Sequence, residues 1–241
     1  SPWDLIKVGN KLYIAMAGSH QLWTADLTTL QTKPFAGSAR EARIDGPLAE
    51  AALAQPSGIT TDGKKLYFAD SEISSIRSAD IDPEGQVKTI IGEDLFEYGD
   101  VDGDYIKARL QHPLGIVYHD GILYVADTYN SKIKKIDPQK RTSYTYAGTG
   151  EPGNQNGNLV EAQFYEPGGV TYLDGNLYVA DINNHAIRII NTRTGIVSTI
   201  QFSNLEKLKK EEKTEFTGRL VELPKQNIKP GESRVIFDLK L

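Results

Sequence analysis

One dipeptide in a fixed place constrains this chain more than its composition does. Leu-Tyr recurs at Leu12-Tyr13, Leu66-Tyr67, Leu123-Tyr124 and Leu177-Tyr178, at intervals of 54, 57 and 54 residues. A proline opens each unit, at Pro2, Pro56, Pro113 and Pro167. Ala-Asp follows the tyrosine at Ala69-Asp70, Ala126-Asp127 and Ala180-Asp181, whereas Met16 takes the aspartate place in the first unit. The segments between units repeat too. Gly46, Gly103 and Gly157 each stand ten residues before the next proline, preceded by Asp45, Asp102 and Asn156. Ala51, Ala108 and Ala162 keep the same register, as do Leu53, Leu110 and Phe164. A period of this size marks a repeat architecture, in which each unit buries its apolar faces against its neighbours.

The last unit shows what is repeated. Gly169–Leu173 is β-branched and aromatic, and Asp174-Gly175 after it is a hairpin signal. Residues 176–180, 186–190 and 196–200 read as three more strands, divided by turns at Asn183-Asn184 and Thr194-Gly195. Four short antiparallel strands per unit make a β-propeller blade. No unit holds a sustained helical period; Pro47–Gln55 and its equivalents are expected to form one or two helical turns between blades.

The pattern Pro-x-Gly-(Ile/Val), Asp-Gly, Leu-Tyr-Val-Ala-Asp, Asn-x-x-Ile-(Lys/Arg) resembles the NHL repeat, with residues 184–188 (Asn-His-Ala-Ile-Arg) nearest to it. Asp4 in the glycine place and Ile73 in the asparagine place are departures. Residues 2–4, 15–18, 110–115 and 124–130 are similar to one branch of that family. Its members carry a thioredoxin-like domain before the propeller and a small β domain after it. The resemblance implies an all-β, six-bladed propeller, of which this chain supplies four blades: 2–55, 56–112, 113–166 and 167–204. A charged linker at 205–213 and the start of a C-terminal β domain at 214–241 are expected to follow. The linker's acids offset its bases, which favours a solvated segment over a membrane anchor. An arc of four blades would leave two blade faces open to self-association; a closed four-bladed ring is the alternative.

Composition excludes several functions. A net charge of −5 argues against a nucleic-acid partner. The absence of cysteine removes thiolate catalysis and disulfides. No run reaches the ~20 apolar residues of a membrane helix. The compartment is left open, leaning to the cytoplasm.

Candidate sites are few. Asp100, Asp102 and Asp104 stand at positions 1, 3 and 5 of a calcium-loop pattern, but Tyr105 replaces its glycine and Gln111 its final acid, so a plain turn is the stronger reading. Asp70, Asp127 and Asp181 are expected to cap their own turns. Arg77, Lys134 and Arg188 share one position on the third strand and are expected at exposed or blade-to-blade contacts; they are carried beside Met16 and Trp23 as candidate binding residues. Met16 and Trp23 break the repeat, which makes them candidate partner-binding residues, although packing between sheets is the stronger reading. Of the four histidines, His20 and His185 are repeat equivalents, His112 precedes a proline, and His119 stands alone. None has ligand spacing. No nucleophile elbow or phosphate loop occurs. The sequence therefore points to a non-catalytic interaction or scaffold module, without a cofactor, bound to a protein partner or to flanking domains of the same protein. A metal-dependent lyase or lactonase on the propeller axis is the alternative.

Overall fold

The computed structural model describes residues 1–203; the expected linker 205–213 and tail strands 214–241 lie outside the described residues. Residues Ser1–Gln201 form one compact unit.

Blade 1 is β1 (Pro2–Val8), β2 (Lys11–Met16), β3 (Gln21–Asp26) and β4 (Thr32–Ala36). A two-residue strand, β5 (Gly46–Pro47), precedes blade 2, which is β6 (Pro56–Thr61), β7 (Lys65–Asp70), β8 (Ser75–Asp80) and β9 (Gln86–Ile91). Likewise β10 (Gly103–Asp104) precedes blade 3: β11 (Ile116–His119), β12 (Ile122–Asp127), β13 (Lys132–Asp137) and β14 (Thr142–Ala147). Finally β15 (Gly157–Asn158) precedes blade 4: β16 (Pro167–Leu173), β17 (Asn176–Asp181), β18 (Ala186–Asn191) and β19 (Ile196–Thr199). The repeat is thus an all-β, four-bladed propeller chain of antiparallel meanders.

One expectation is corrected here. Blades 2 to 4 have five strands rather than four, because β5, β10 and β15 pair with the outer strands β9, β14 and β19. Each linker makes a single turn of the one or two expected: Gly46 and Pro47 are committed to β5, and the turn after them is closed by Ala51 N–H on the Pro47 carbonyl, as Ala108 N–H closes on Asp104 and Ala162 N–H on Asn158. The expected Asn183-Asn184 turn is a 3-10 turn over Ile182–Asn184, ended by His185 in the left-handed region.

The core lies in the seams between blades, because alternate residues of a strand face opposite neighbours. Leu66 and Phe68 pack with Tyr13, Ala15 and Leu22 of blade 1 and with Leu53 of the linker. Tyr67 and Ala69, the intervening positions, pack with Leu123 and Val125 of blade 3. Tyr124 and Ala126 then meet Leu177 and Val179 of blade 4. Around the axis the inner strands approach backbone to backbone. A Cβ on Gly58 would lie 2.2 Å from the Leu114 carbonyl oxygen, and one on Gly115 2.7 Å from Gly169 Cα.

Hydroxyl groups close the same seams. Ser71 Oγ donates to the Pro113 carbonyl (2.7 Å), and Thr128 Oγ1 to the Pro167 carbonyl (2.9 Å). The two ends of the arc lack this cover. Leu5 is 54% exposed, although its counterpart Ile59 is 3% exposed. Tyr178, Ala180 and Ile187 are partly exposed, whereas their counterparts Tyr124, Ala126 and Ile133 are buried. Among the described residues the four blades therefore form an arc with two open faces, not a closed ring.

Candidate functional site

The repeated polar residues converge on the joint between each blade and the linker before it. In blade 2 Arg77 is fully buried. Its guanidinium donates to Asp70 (2.9 Å) and the Ala52 carbonyl on one side, and to Asp45 (2.9 Å) and the Ile44 carbonyl on the other. Asp70 completes the clamp by accepting the Ala54 N–H, 2.8 Å away. Blade 4 repeats it. Arg188 bonds Asp181, Asn156 and the Gln163 and Gln155 carbonyls, while Asp181 accepts the Tyr165 N–H. The two terminal nitrogens of one planar fork reach four acceptors on opposite sides of the joint, which explains its place there, while among the described residues the buried Nε of each arginine has no partner.

Blade 3 departs from this plan. Lys134, also fully buried, reaches Asp100, Asp102 and Thr145, all on the linker side or the outer strand. Asp127 is left with the Gln111 N–H (2.7 Å) and the Asn130 side-chain amide (2.8 Å). Burial pushes its carboxyl up to about 7, against the pull of those two bonds and of Lys134. Burial raises Asp70 too, opposed by Arg77. On the linker side the balance reverses. Asp45 and Asp100 are partly buried, yet bonds from Thr89 and Arg77, and from Lys132 and Lys134, hold them below the usual carboxylate range.

These positions correct several expectations. Arg77, Lys134 and Arg188 are not at exposed contacts; they are sealed inside single blade-linker joints, with the Lys134 ammonium and the terminal guanidinium nitrogens of both arginines bound to protein acceptors. Asp70, Asp127 and Asp181 do not cap their own turns; each accepts an N–H from the preceding linker. Asp100 and Asp102 face the Lys134 ammonium, and Asp104 accepts the Lys107 N–H, so the three carboxylates do not converge on a cation centre. Met16 and Trp23 occupy the aspartate and arginine places of blade 1, which therefore has no clamp; Trp23 donates to Gln21 Oε1 at 3.0 Å. Both are half-buried on the open face of that blade.

The histidines serve separate seams. His20 Nδ1 accepts the Gln55 N–H (3.3 Å), as Ser74 and Ser131 accept those of His112 and Glu166. His112 stacks on Tyr129 and His119 on Tyr172. Burial lowers the His112 pKa. Among the described residues no three His, Asp or Glu side chains are grouped to hold a metal.

At the axis lies a recess of about 390 Å³, walled by Trp3, Asp4, Ser57, Leu114 and the backbone of Gly58, Gly115, Gly168 and Gly169. Asp4 stands where later blades have glycine, and its carboxylate accepts the Ile59 N–H at 2.9 Å.

Repeated antiparallel meanders, three of them fastened to the preceding linker by a buried arginine or lysine, define a β-propeller chain of repeated blades. The sequence model of the NHL repeat matches residues 164–190, which run from linker 3 into β18. The chain is 42% identical over 212 residues to Protein SUPPRESSOR OF QUENCHING 1, chloroplastic, of Arabidopsis thaliana, covering 83% of this chain and 20% of the relative. It is 38% identical over 234 residues to human NHL repeat-containing protein 2, covering 83% and 32%. The chain thus carries the NHL repeat on a β-propeller fold and is similar over 83% of its length to an NHL repeat-containing protein. It spans only a fifth to a third of the length of these relatives. In fold it resembles an auxiliary nutrient binding protein of Bacteroides ovatus, with TM-score 0.64 and 18% identity over 83% of this chain and 48% of that one. Virginiamycin B lyase of Staphylococcus aureus is more distant, with TM-score 0.55 and 12% identity over 84% and 56%. No helix among the described residues is long and apolar enough to cross a membrane.

Proposed function

We propose that this chain is the non-catalytic interaction and scaffold part of a larger NHL-repeat protein, binding a protein partner or flanking domains of its own chain. One observation carries the reading. The charged side chains that recur from blade to blade are consumed in buried linker clamps, and the inner strands meet through glycine. Such a plan builds a rigid frame and leaves recognition to side chains that differ between blades. Met16 and Trp23 are two of these.

The test uses the full-length protein. Its partners are identified by cross-linking mass spectrometry, then compared between wild type and a Met16→Ala/Trp23→Ala variant that retains its melting profile. Loss of specific partners supports the reading. Metal bound stoichiometrically to the purified protein, together with metal-dependent lactone opening or lyase turnover, overturns it in favour of an enzyme.

A further inference from the structure

Laid over one another, the three linkers reveal one that breaks the pattern in a concerted way. Gly92 to Gly103 is two residues longer than Gly37 to Gly46 or Gly148 to Gly157. The longer segment holds a turn, closed by Glu97 N–H on the Asp94 carbonyl. It presents Phe96 at 87% exposure and Tyr98 at 58%. Beyond Gly103, Tyr105 stands in the place of Leu48 and Leu159. Those leucines pack into the seams, whereas Tyr105 is turned out, with the Arg141 guanidinium 3.5 Å over its ring. Ile106 beside it is 62% exposed.

The two halves of this crest are tied together. Arg109 stands where the other linkers have Ala52 and Gln163. It pairs with Glu93 and Glu97 in the first half and donates to the Ile106 carbonyl (2.9 Å) in the second. Water drives exposed aromatic rings inward unless something holds them out, and grouped apolar residues on a surface mark contact sites. Here Arg109 ties the segment that carries the rings to the segment that carries Ile106. The balance of charge is acidic: Glu93, Asp94, Glu97 and Asp104 share the crest with Lys107, Arg109 and Arg141, of which Arg109 is taken up between two of the carboxylates and Arg141 lies over the Tyr105 ring.

We propose that this crest is a docking site for a lysine- or arginine-rich protein segment that also carries an apolar side chain. The rings would receive the apolar anchor and the carboxylates the flanking cations, the usual division between the centre and rim of an interface. A membrane suits the crest poorly, since anionic headgroups repel carboxylates. The proposal rests on the interaction-module reading and names where on that module one partner sits.

Fluorescence anisotropy on the full chain tests it, with a labelled synthetic peptide of alternating lysine and leucine around one tryptophan. The controls are a lysine-glycine peptide of equal charge, a glutamate-leucine counterpart, and phosphatidylcholine and phosphatidylserine vesicles. The lysine-leucine peptide is expected to bind, and to lose about tenfold in affinity in a Phe96→Ser/Tyr98→Ser variant. Its binding should also weaken with added salt, while the glutamate peptide and the vesicles stay unbound. Both rings are exposed, so the variant's melting profile should match wild type. Unchanged affinity in the variant, equal binding of the lysine-glycine peptide, or vesicle binding overturns the proposal. If cross-linked partners persist in the crest variant but are lost with Met16→Ala/Trp23→Ala, the crest falls and the module reading stands. If neither variant loses a partner and the peptide does not bind, both fall.

Discussion

Blades 2 and 4 fasten their linkers with a guanidinium; blade 3 uses an ammonium. Arg77 and Arg188 each span from the aspartate of their own blade to the linker's Asp45 or Asn156. Lys134 sits on the same strand position but spends its single charged atom on the linker side. The repeat thus tolerates an exchange that keeps the charge and loses the fork, and the consequence falls on Asp127, a buried carboxylate without a direct cation. Position in a repeat specifies a residue's place; its chemistry is decided by which atoms can reach.

The comparison is broken most forcefully from the aspartate side. Asp181→Ala strands the buried Arg188 guanidinium and should cost about 3–5 kcal/mol in urea unfolding, whereas Asp70→Ala leaves Arg77 its pair with Asp45 and should cost about 2–3 kcal/mol. Asp127→Asn strands no cation. It loses the accepted Asn130 bond and should cost only about 1–2 kcal/mol. Equal losses at the three sites would show that Lys134 holds Asp127 as firmly as the arginines hold theirs.

Proton linkage sharpens the same contrast. The folded-state pKa of Asp127, about 7, lies above its unfolded value. Its contribution to stability is therefore complete below the unfolded value near pH 4 and is lost as pH rises through about 7. Between about pH 5 and about pH 8 this should lower stability by on the order of 2 kcal/mol, and Asp127→Asn should remove that slope. Lys134→Arg should flatten it as well, by bringing a fork within reach of Asp127. Asp45 and Asp100 have the opposite sign, since their low pKa values stabilise the fold at neutral pH and that contribution fades in acid.

The axial contacts give an effect of similar or smaller size. Gly58→Ala drives a methyl group into the Leu114 carbonyl and should cost about 1–3 kcal/mol. Gly169→Ala, whose Cβ would meet only Ala180 Cβ at 3.5 Å, should be nearly neutral in this chain. Smallest is Ser71→Ala or Thr128→Val, each removing one hydroxyl bond across a seam, at about 0.5–1.5 kcal/mol by thermal melting.

Much of the fold was legible because a period of repeated markers and alternating apolar residues specifies blades without reference to anything distant. The four strands of blade 4 fall within a residue or two of where Asp174-Gly175 and the β-branched runs place them. What could not be read were contacts across the seams. The Asp70 bond to Ala54 and the Arg77 bond to Asp45 join residues that the repeat merely aligns, and nothing local says that they meet. Among the described residues Gln55, His112 and Glu166 adopt φ of 63°, 51° and 50°, a conformation unusual for such residues and invisible in their identity. The crest around Phe96 left one signal, the lengthened second linker, which only a comparison of linkers makes visible.

The linkers also decide what can be copied. The opening prolines give the eye a natural cutting point, yet a segment excised at Pro56 would lose Asp45, the Ala52 carbonyl and the Ala54 N–H, all claimed by blade 2. The piece that keeps its clamp whole starts upstream, near Gly37, and ends near Gly92, so that each blade travels with the segment that precedes it. Duplication or grafting of NHL blades should therefore succeed in that phase and fail at the prolines, and the breakpoints of tandem copies should lie in the turns after the outer strands.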